Sequence, residues 1–338
     1  MKKDIFKLFT LGLLVGLGLA ACNVIDPPKY GCTDSYATNY DPNATHADGP
    51  CLGDCDYDSS DTTVILGCTD QSALNYNPLA TSNNCDCAYE GVRNVLVEDY
   101  TGHTCGNCPR AAEVLHDLEG TYGSRIIPIA VHVGFFAETQ NNPDGSYARD
   151  FKTPAGNQWN TEFGASAQGL PNGMINRTQE GGGYVQSYTA WSAQVANILA
   201  QEPDASIGLD VVYEESSRTV NVDIDVTAFN DLSSGPYNIV VCLTEDSIVD
   251  WQKDYDSSLA DENLEDYLHM HALRTNFNGT WGGQIGTGNI TAGTVISSSY
   301  SLVLDAEWVD HNCNVVAFIY QTGNKEVVQA DYRHVIEE

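Results

Sequence analysis

The sequence has few basic side chains and, beyond its first segment, no long apolar run. Only 15 lysines and arginines stand against 46 aspartates and glutamates in 338 residues, which gives a formal net charge of −31. A protein that neutralises nucleic-acid phosphates needs basic surfaces, so this composition excludes a nucleic-acid partner. After the first segment no apolar stretch reaches the roughly 18 residues of a membrane-spanning helix. Any membrane attachment must therefore come from the start of the chain.

Several catalytic motifs are also missing. The sequence contains no Gly-Lys phosphate loop, no Gly-x-Ser-x-Gly, no His-Glu-x-x-His and no second Cys-x-x-Cys pair. These absences exclude the corresponding nucleotide-binding, hydrolase and zinc signatures. We therefore predict no metal and no cofactor. With 42% hydrophobic residues the chain can still bury a substantial core, and its length suggests two or three domains.

The first residues are typical of an export signal. A basic stretch over residues 1–7 precedes an apolar run over residues 8–19, which is too short for a comfortable membrane span. The Leu-Ala-Ala-Cys that ends at Cys22 resembles the lipobox of bacterial lipoproteins, and this resemblance implies cleavage before Cys22 and attachment of lipid to its sulfur. We predict a lipoprotein signal peptide over residues 1–21 and a membrane anchor on Cys22. Ten of the 11 cysteines then remain for pairing.

Residues 22–90 form a cysteine-rich linker with an internal repeat. Gly-Cys-Thr-Asp begins at Gly31 and again at Gly67, and both copies end in Cys-x-Tyr. Units this small lack an apolar core, so we predict that disulfides stabilise them, although the sequence does not fix the pairing. The cysteines of the two repeats are Cys32, Cys51, Cys55, Cys68, Cys85 and Cys87.

The first repeat also contains candidate calcium ligands. Asp41, Asn43, Thr45 and Asp48 offer oxygen atoms at mostly alternate positions. The glycine and the final glutamate of an EF-hand loop are missing, and the second repeat has Leu79 in place of one donor. The sequence favours a disulfide-stabilised spacer over a calcium site.

A Cys-x-x-Cys pair lies at a predicted junction between a strand and a helix. The apolar Val95–Val97 predicts a buried strand, and the apolar spacing after Pro109 predicts a helix. Cys105 then lies at a helix N-terminus, where unpaired amides and the helix dipole favour a thiolate. Cys108 follows closely enough to close a small ring. Reversible thiol–disulfide exchange requires this arrangement of an attacking and a resolving sulfur.

Two other interpretations of this pair remain open. The cysteines can be half of a zinc site, for which His103 is one further candidate ligand. They can also form a permanent structural disulfide. A protonated His103 would stabilise a thiolate, whereas Glu98 and Asp99 would oppose it.

The arrangement around the pair resembles the thioredoxin family. Asp99 stands six residues before Cys105, where that family places a buried acid that handles protons. Glu98 takes this role if the strand register differs by one. Pro171, before another apolar run, is similar to the family's cis-proline turn, which lies opposite the cysteine pair. The resemblance implies an α/β thioredoxin-like domain over residues 91–201.

More narrowly, the sequence resembles the outer-membrane-protein-28-related lipoprotein family. The resemblance rests on Thr-Gly-x-x-Cys-x-x-Cys-Pro behind a lipobox, followed by a β-rich half. It implies a location in the cell envelope, as an outer-membrane lipoprotein on the periplasmic or the surface-exposed side. That family is named for its location, so the resemblance implies where in the cell the protein lies more than what reaction it carries out.

Residues 202–338 alternate apolar and polar positions, which is typical of antiparallel strands and predicts an all-β sandwich resembling immunoglobulin or fibronectin domains.

Cys242 and Cys313 both fall in predicted strands. A disulfide between them is the simplest prediction, and two buried free thiols are the alternative. His269 and His271 would share one strand face and offer copper or zinc ligands, but a polar face or an interdomain contact is favoured.

The sequence as a whole predicts a lipid-anchored envelope protein that exchanges disulfides with exported protein or peptide thiols. In this hypothesis Cys105 attacks, Cys108 resolves, Asp99 or Glu98 handles the proton, and Pro171 shapes a groove for an extended peptide. The alternative is a non-enzymatic surface or adhesion lipoprotein in which the Cys105–Cys108 disulfide is structural. The sequence leaves open whether the protein is an enzyme.

Overall fold

The computed structural model describes residues 38, 42, 65–67, 76–83, 91–286 and 288–336. The predicted signal peptide, the lipidation site Cys22, the candidate calcium ligands and the six repeat cysteines lie outside the described residues. Leu66–Gly67 (β1), at the start of the second repeat, and Ser82–Asn83 (β2), within that repeat, form a short parallel pair.

Helices and strands alternate at first, and strands predominate later. The helices are α1 (Cys108–Tyr122), α2 (Pro154–Phe163) and α3 (Trp191–Leu199). The strands are β3 (Val95–Thr101), β4 (Ile126–His132), β5 (Asn172–Ile175), β6 (Ala205–Glu214), β7 (Thr219–Ala228), β8 (Tyr237–Glu245), β9 (Ile248–Lys253), β10 (Asn263–His269), β11 (Ala272–Asn276), β12 (Gly283–Ile285), β13 (Val295–Val303), β14 (Cys313–Gln321) and β15 (Val327–His334).

One eight-stranded mixed sheet organises the described part of the chain. Its order is β15-β14-β8-β11-β4-β3-β5, and β12 also pairs with β8. β4 runs parallel to both β3 and β11, whereas the other pairs are antiparallel. Strands from both halves of the sequence therefore share a single hydrogen-bonded sheet.

Helices cover both faces of this sheet at β3 and β4, which are buried along their whole length. Successive side chains of a strand point to opposite faces. On one face, Val97 packs with Leu115 of α1 and Trp191 of α3. On the other face, Leu96 packs with Trp159 of α2. Burial on both faces explains the nearly continuous apolar runs of these two strands.

A three-stranded antiparallel sheet, β13-β7-β6, covers the β8–β14 part of the large sheet. Ile239 and Val241 of β8 pack in one core with Val222 and Ile224 of β7. Val240, which points the other way, belongs to the core on the α2 side. The small sheet therefore lies on the same face as α1 and α3, and α2 lies on the opposite face.

The sequence predicted an α/β part followed by a β-rich part. This prediction is confirmed in its coarse form, as a mixed sheet with parallel strands and small antiparallel sheets. The strands of residues 202–338 pack as two facing sheets, but one of these sheets is shared with residues 91–201. β8, β11, β12, β14 and β15 extend the sheet that contains β3, β4 and β5. The domain boundary between residues 201 and 202 stays a prediction.

A buried ion pair lies in the core beside α2. The side chains of Arg177 and Glu98 are both 0% exposed. Nε and Nη2 of Arg177 each donate a 2.8 Å hydrogen bond to a different carboxylate oxygen of Glu98. This two-pronged geometry offsets the cost of removing both charges from water. The guanidinium carbon also lies 4.8–5.7 Å from the ring centroids of Trp159, Phe163, Phe318 and Tyr320.

We expect Glu98→Gln to lower the free energy of unfolding by about 3–5 kcal/mol, because the variant leaves the Arg177 guanidinium buried without its counter-charge. The double variant Glu98→Gln/Arg177→Met removes both charges and should regain most of that loss. Equilibrium urea unfolding of both variants and the wild type measures the difference. Equal destabilisation by the single and the double variant would show that the ion pair is not what the core requires.

Candidate functional site

Cys105 and Cys108 form a disulfide at the start of α1, with their Cα atoms 5.4 Å apart. The helix begins at Cys108 and Asn107 is its N-cap, so Cys105 lies in the turn just before the helix. The backbone N–H of Cys105 donates to the carbonyl of Gly102 at 2.9 Å, and that of Cys108 donates to the carbonyl of Cys105 at 3.1 Å. Pro109 is tolerated in the first turn, where its missing N–H would have no helical partner. The pair thus lies at the positive end of α1.

Both cysteines are only 2% exposed, and residues from the second half of the chain lie against the turn that carries them. We name residues 252–255, the end of β9 and the two residues after it, the cover segment. Nε2 of Gln252 donates to the carbonyl of Cys105 at 3.1 Å, and the backbone N–H of Tyr255 donates to the carbonyl of Gly106 at 2.7 Å. A Cβ atom added to Gly106 would come within 2.5 Å of the Tyr255 ring. The ring therefore lies directly on the residue between the two cysteines.

Two further contacts hold the cover segment in place. The backbone N–H of Lys253 donates to the carbonyl of His103 at 2.8 Å. The carboxylate of Asp254 accepts a 2.7 Å hydrogen bond from Nη2 of Arg110 on α1. The local sequence pattern does not indicate this cover, since Gln252 lies 147 positions after Cys105 and carries no recognisable motif.

Asp99 lies on the α1 face of β3, because strand alternation points it the same way as Val95 and Val97. Its side chain is buried, and Oδ1 has no hydrogen-bond partner among the described residues. Burial raises the pKa of Asp99 to about 7, although the charge of His271 acts in the opposite direction. A carboxyl with this pKa can take up and release a proton near neutral pH.

Glu98 points to the opposite face of β3 and is held there by Arg177. Of the two acids that the sequence offered, Asp99 is therefore the one on the same face as the helix that starts at Cys108. Nothing in the local sequence pattern identified Arg177, since its partner lies 79 positions away.

His271 is held between two carboxylates. Its Nε2 lies 3.2 Å from Glu119 of α1, and its Nδ1 lies 3.0 Å from Asp246. Burial lowers the pKa of His271, but the two carboxylates outweigh burial and raise that pKa well above its ordinary value. His271 is thus a buried cation whose field reaches Asp99. The local sequence pattern does not indicate Glu119 and Asp246 as partners, because only the folded sheet brings them to His271.

The predicted alternative of a metal site at His269 and His271 required both side chains on one strand face, and this arrangement is wrong. β10 ends at His269, whereas His271 lies in the following turn with φ of 55°. His269 packs on Phe151 and His132, with ring centroids 4.7 and 5.6 Å apart. Burial lowers the pKa of His269 to about 4 and that of His132 well below its ordinary value. The described residues contain no group of three or more His, Cys, Asp or Glu placed to hold a metal ion.

His103, the other candidate ligand, lies against the same aromatic cluster. Its Nε2 is 3.1 Å from the carbonyl oxygen of Glu138, and its ring centroid is 5.5 Å from that of Tyr147. Burial lowers the pKa of His103. A neutral imidazole at pH 7 supplies no positive charge to a thiolate, so this predicted influence of His103 is weak.

Pro171 precedes β5, the strand next to the one that leads to the cysteines. The Leu170–Pro171 peptide bond is cis, and β5 begins at the following residue. β5 pairs antiparallel with β3, and Gly173 lies opposite Asp99. The turn that carries Pro171 and the buried acid therefore belong to neighbouring strands.

The predicted disulfide between Cys242 and Cys313 is wrong, since both are buried free thiols. In the β8–β14 register, Cys242 lies opposite Val316, whereas Cys313 lies opposite Glu245. This offset sends the two side chains to different faces of the sheet. Cys242 belongs to the core on the α2 side, and Cys313 belongs to the core under the small sheet. Burial raises the pKa of both thiols, which keeps them unreactive.

The part of the chain from α2 onward decides the family. Residues 156–338 match the family described as Outer membrane protein Omp28, and this match covers more than half of the 338 residues. The chain belongs to the Omp28 family. No curated protein matches it. Among the described residues of this Omp28 family member, no helix is long and apolar enough to cross a membrane.

Several solved structures are similar to this Omp28 family member. HBP35 of Porphyromonas gingivalis has 17% sequence identity and a TM-score of 0.55, over 73% of this chain and 76% of that chain. Protein AGR_C_4864 from Agrobacterium tumefaciens has 14% identity and a TM-score of 0.44, over 74% and 98%. A domain of the outer membrane lipoprotein Omp28 from Porphyromonas gingivalis has 14% identity and a TM-score of 0.27, over 39% and 88%. The likeness to HBP35 is one of fold.

We expect Asp99→Asn to change how stability depends on pH. The carboxyl has a pKa of about 7 in the fold against 3.8 ordinarily, so the folded state binds its proton more tightly. The wild type should therefore lose stability as the pH rises from about 4 to about 7. Asparagine does not titrate, so the stability of the variant relative to wild type should improve by roughly 4 kcal/mol between pH 4 and pH 8.

Urea unfolding of both proteins at each pH measures this difference. Asp210→Asn, which replaces an exposed carboxyl on β6, is the matched control. If the difference between Asp99→Asn and the wild type stays constant over this pH range, the titration of Asp99 does not contribute to stability.

Proposed function

We propose that this Omp28 family member is a lipid-anchored envelope protein that exchanges disulfides with exported proteins through Cys105 and Cys108. One observation carries the proposal: a Cys-x-x-Cys disulfide at the start of a helix follows a strand whose buried acid, Asp99, faces the same helix. The acid supplies a proton at neutral pH, and the helix end favours the thiolate form of a released sulfur.

The order of elements around the disulfide supports a thioredoxin-like fold for residues 91–201. β3 leads through the cysteine turn into α1, and β4 then returns parallel to β3. The turn with Pro171 leads into β5, which runs antiparallel to β3, and α3 follows. The facing sheets of residues 202–338 support the immunoglobulin-like comparison, with the large sheet shared between the two parts.

The proposed reaction transfers two electrons between a client protein and the disulfide. A client thiolate attacks Sγ of Cys105, the bond to Cys108 breaks, and its electron pair leaves on Sγ of Cys108, which takes a proton from Asp99. A second client thiolate attacks the client sulfur of the mixed disulfide and releases Cys105. The client is then oxidised and the pair is reduced. In the reverse direction, the Cys105 thiolate attacks a client disulfide and Cys108 resolves the intermediate.

We expect Cys108→Ser to accumulate mixed disulfides between Cys105 and exported proteins, because no sulfur remains to resolve them. The variant is expressed with its full chain, thiols are alkylated on lysis, and the trapped species are identified on non-reducing gels and by mass spectrometry. Cys105→Ser is the matched control, since it leaves one cysteine in the same turn but removes the attacking sulfur. If neither variant traps a client, or both trap equally, exchange through Cys105 is refuted.

The burial of both cysteines supports a second candidate function, that of a non-enzymatic surface or adhesion lipoprotein with a structural disulfide. The reduction potential of the pair in the full chain separates the two functions. A value below about −300 mV would resist ordinary thiol pools and favour the structural role, whereas a higher value would favour exchange.

The membrane anchor has its own test. We expect Cys22→Ser to move the protein from the membrane fraction to the soluble envelope fraction, because lipid on this sulfur is the proposed attachment. Cell fractionation and immunoblotting measure the distribution, and Cys242→Ser serves as a cysteine control outside the signal. Retention of Cys22→Ser in the membrane fraction would contradict lipid anchoring at this residue.

A further inference from the structure

The cover segment meets the cysteine turn with one edge of an extended strand. The backbone N–H groups of Lys253 and Tyr255 donate to the carbonyls of His103 and Gly106, at 2.8 and 2.7 Å. Alternate N–H groups of an extended chain point the same way, so both bonds come from one edge. The N–H of Asp254 points the other way and donates at 2.7 Å to the chain just before β10. The turn therefore accepts a strand edge through two carbonyls.

The surface of the turn at Gly106, between the two cysteines, fits an aromatic ring. Gly106 has no Cβ, and the Tyr255 ring fills the space that a Cβ would need. Tyr255 is nevertheless 51% exposed. Nζ of Lys253 lies 5.3 Å from the ring centroid on the same segment. The ring is thus placed on the turn without being locked into a core.

The hairpin that carries the cover segment is not hydrogen-bonded into the large sheet as one of its strands. β9 and β10 form a two-stranded sheet of their own, which has no strand pairing with the eight-stranded sheet among the described residues. The base of the hairpin is anchored, since Ile248 packs with Phe151 and Ala272. The far end is held by the backbone bonds described above, by Gln252, by the Arg110–Asp254 pair and by a 2.8 Å hydrogen bond from the Tyr147 hydroxyl to the side-chain oxygen of Asn263. Displacement of the far end would break these contacts but none of the strand pairing within the eight-stranded sheet.

From this geometry we propose that the cover segment occupies the binding site of the client and is displaced when the client binds. The client is an extended polypeptide that donates backbone N–H groups to His103 and Gly106 and places an aromatic side chain on Gly106. This inference rests on the proposed function, because it assigns the substrate class and the regulation of the same disulfide. The closed cover keeps the disulfide away from small thiols, and a matching polypeptide replaces it.

Reduction by dithiothreitol tests the cover, because the reagent needs only access to the disulfide. One of its thiolates attacks a cysteine sulfur, and its second thiol closes a ring, so two electrons pass to Cys105 and Cys108. We expect Tyr255→Ala to speed this reduction at least tenfold. Gly106→Ala should have the same effect, since its methyl group displaces the ring. The alkylated fraction of the peptide with both cysteines, measured by mass spectrometry of the full chain, gives the rate.

Matched variants separate the cover from other causes. Tyr255→Phe keeps the ring and should react at the wild-type rate, as should Val249→Ala on the exposed part of β9. The disulfide of the double variant Gly106→Ala/Tyr255→Ala should be reduced no faster than that of the faster single variant, because both substitutions remove the same contact. Unchanged urea midpoints show that the rates do not come from unfolding. Wild-type rates in both Tyr255→Ala and Gly106→Ala would overturn the cover.

A synthetic peptide tests the substrate class. The sequence of residues 250–257, Asp-Trp-Gln-Lys-Asp-Tyr-Asp-Ser, added to Tyr255→Ala should slow its reduction at least threefold at saturating concentration, and the same peptide with alanine for tyrosine should not. No slowing by the tyrosine peptide, or equal slowing by both peptides, would overturn the assigned client site. These readouts are independent of catalysis. If the variants and peptides behave as expected while Cys108→Ser traps no client, the cover stands and the exchange function fails.

Discussion

The short parallel pairing of β4 with β11 joins the two halves of the sheet, and the positions of the groups at the disulfide depend on it. Ala130 of β4 lies opposite Ala272 of β11, and its N–H donates to the carbonyl of His271 at 2.8 Å. This register places His271 against α1 and within the electrostatic reach of Asp99. It also fixes the base of the β9–β10 hairpin, whose last residue is His269. The site is therefore built by contacts between distant parts of the chain.

The few basic side chains of this protein decide which buried carboxylates have a counter-charge. With 15 basic side chains against 46 acidic ones, the chain still buries Arg177 and a charged His271. Each lies against carboxylates that would otherwise be buried without compensation: Glu98 in one case, Asp246 and Glu119 in the other. Oδ1 of Asp99 has no hydrogen-bond partner among the described residues, and burial raises the pKa of this carboxyl to about 7. The contrast between Glu98 and Asp99, neighbours in sequence, follows from the two faces of one strand.

Local spacing was sufficient to predict the parts of the site that are close in sequence. The start of the strand at Val95–Val97, the cysteine turn and α1 follow from apolar spacing, whereas Asp99 was one of two candidate acids, beside Glu98, that the resemblance to the thioredoxin family implied. The cover segment, Arg177 and the carboxylates around His271 could not be predicted, because their partners are set by strand order across the sheet. Cys242 and Cys313 illustrate the same limit. Alternation placed both in strands, but a disulfide also requires the register between β8 and β14, which alternation does not contain.

The same two cysteines have a consequence for how the chain must mature. If the protein is exported, it reaches an oxidising compartment unfolded, with both thiols available for pairing with any of its other cysteines. In the folded protein the sheet stands between Cys242 and Cys313 and keeps each in a separate core. The sheet thus keeps the two reduced sulfurs apart, and their burial shields them from oxidants. Once the sheet has formed, neither thiol can react. Any disulfide that Cys242 or Cys313 has formed with a wrong partner would therefore have to be exchanged before that step of folding.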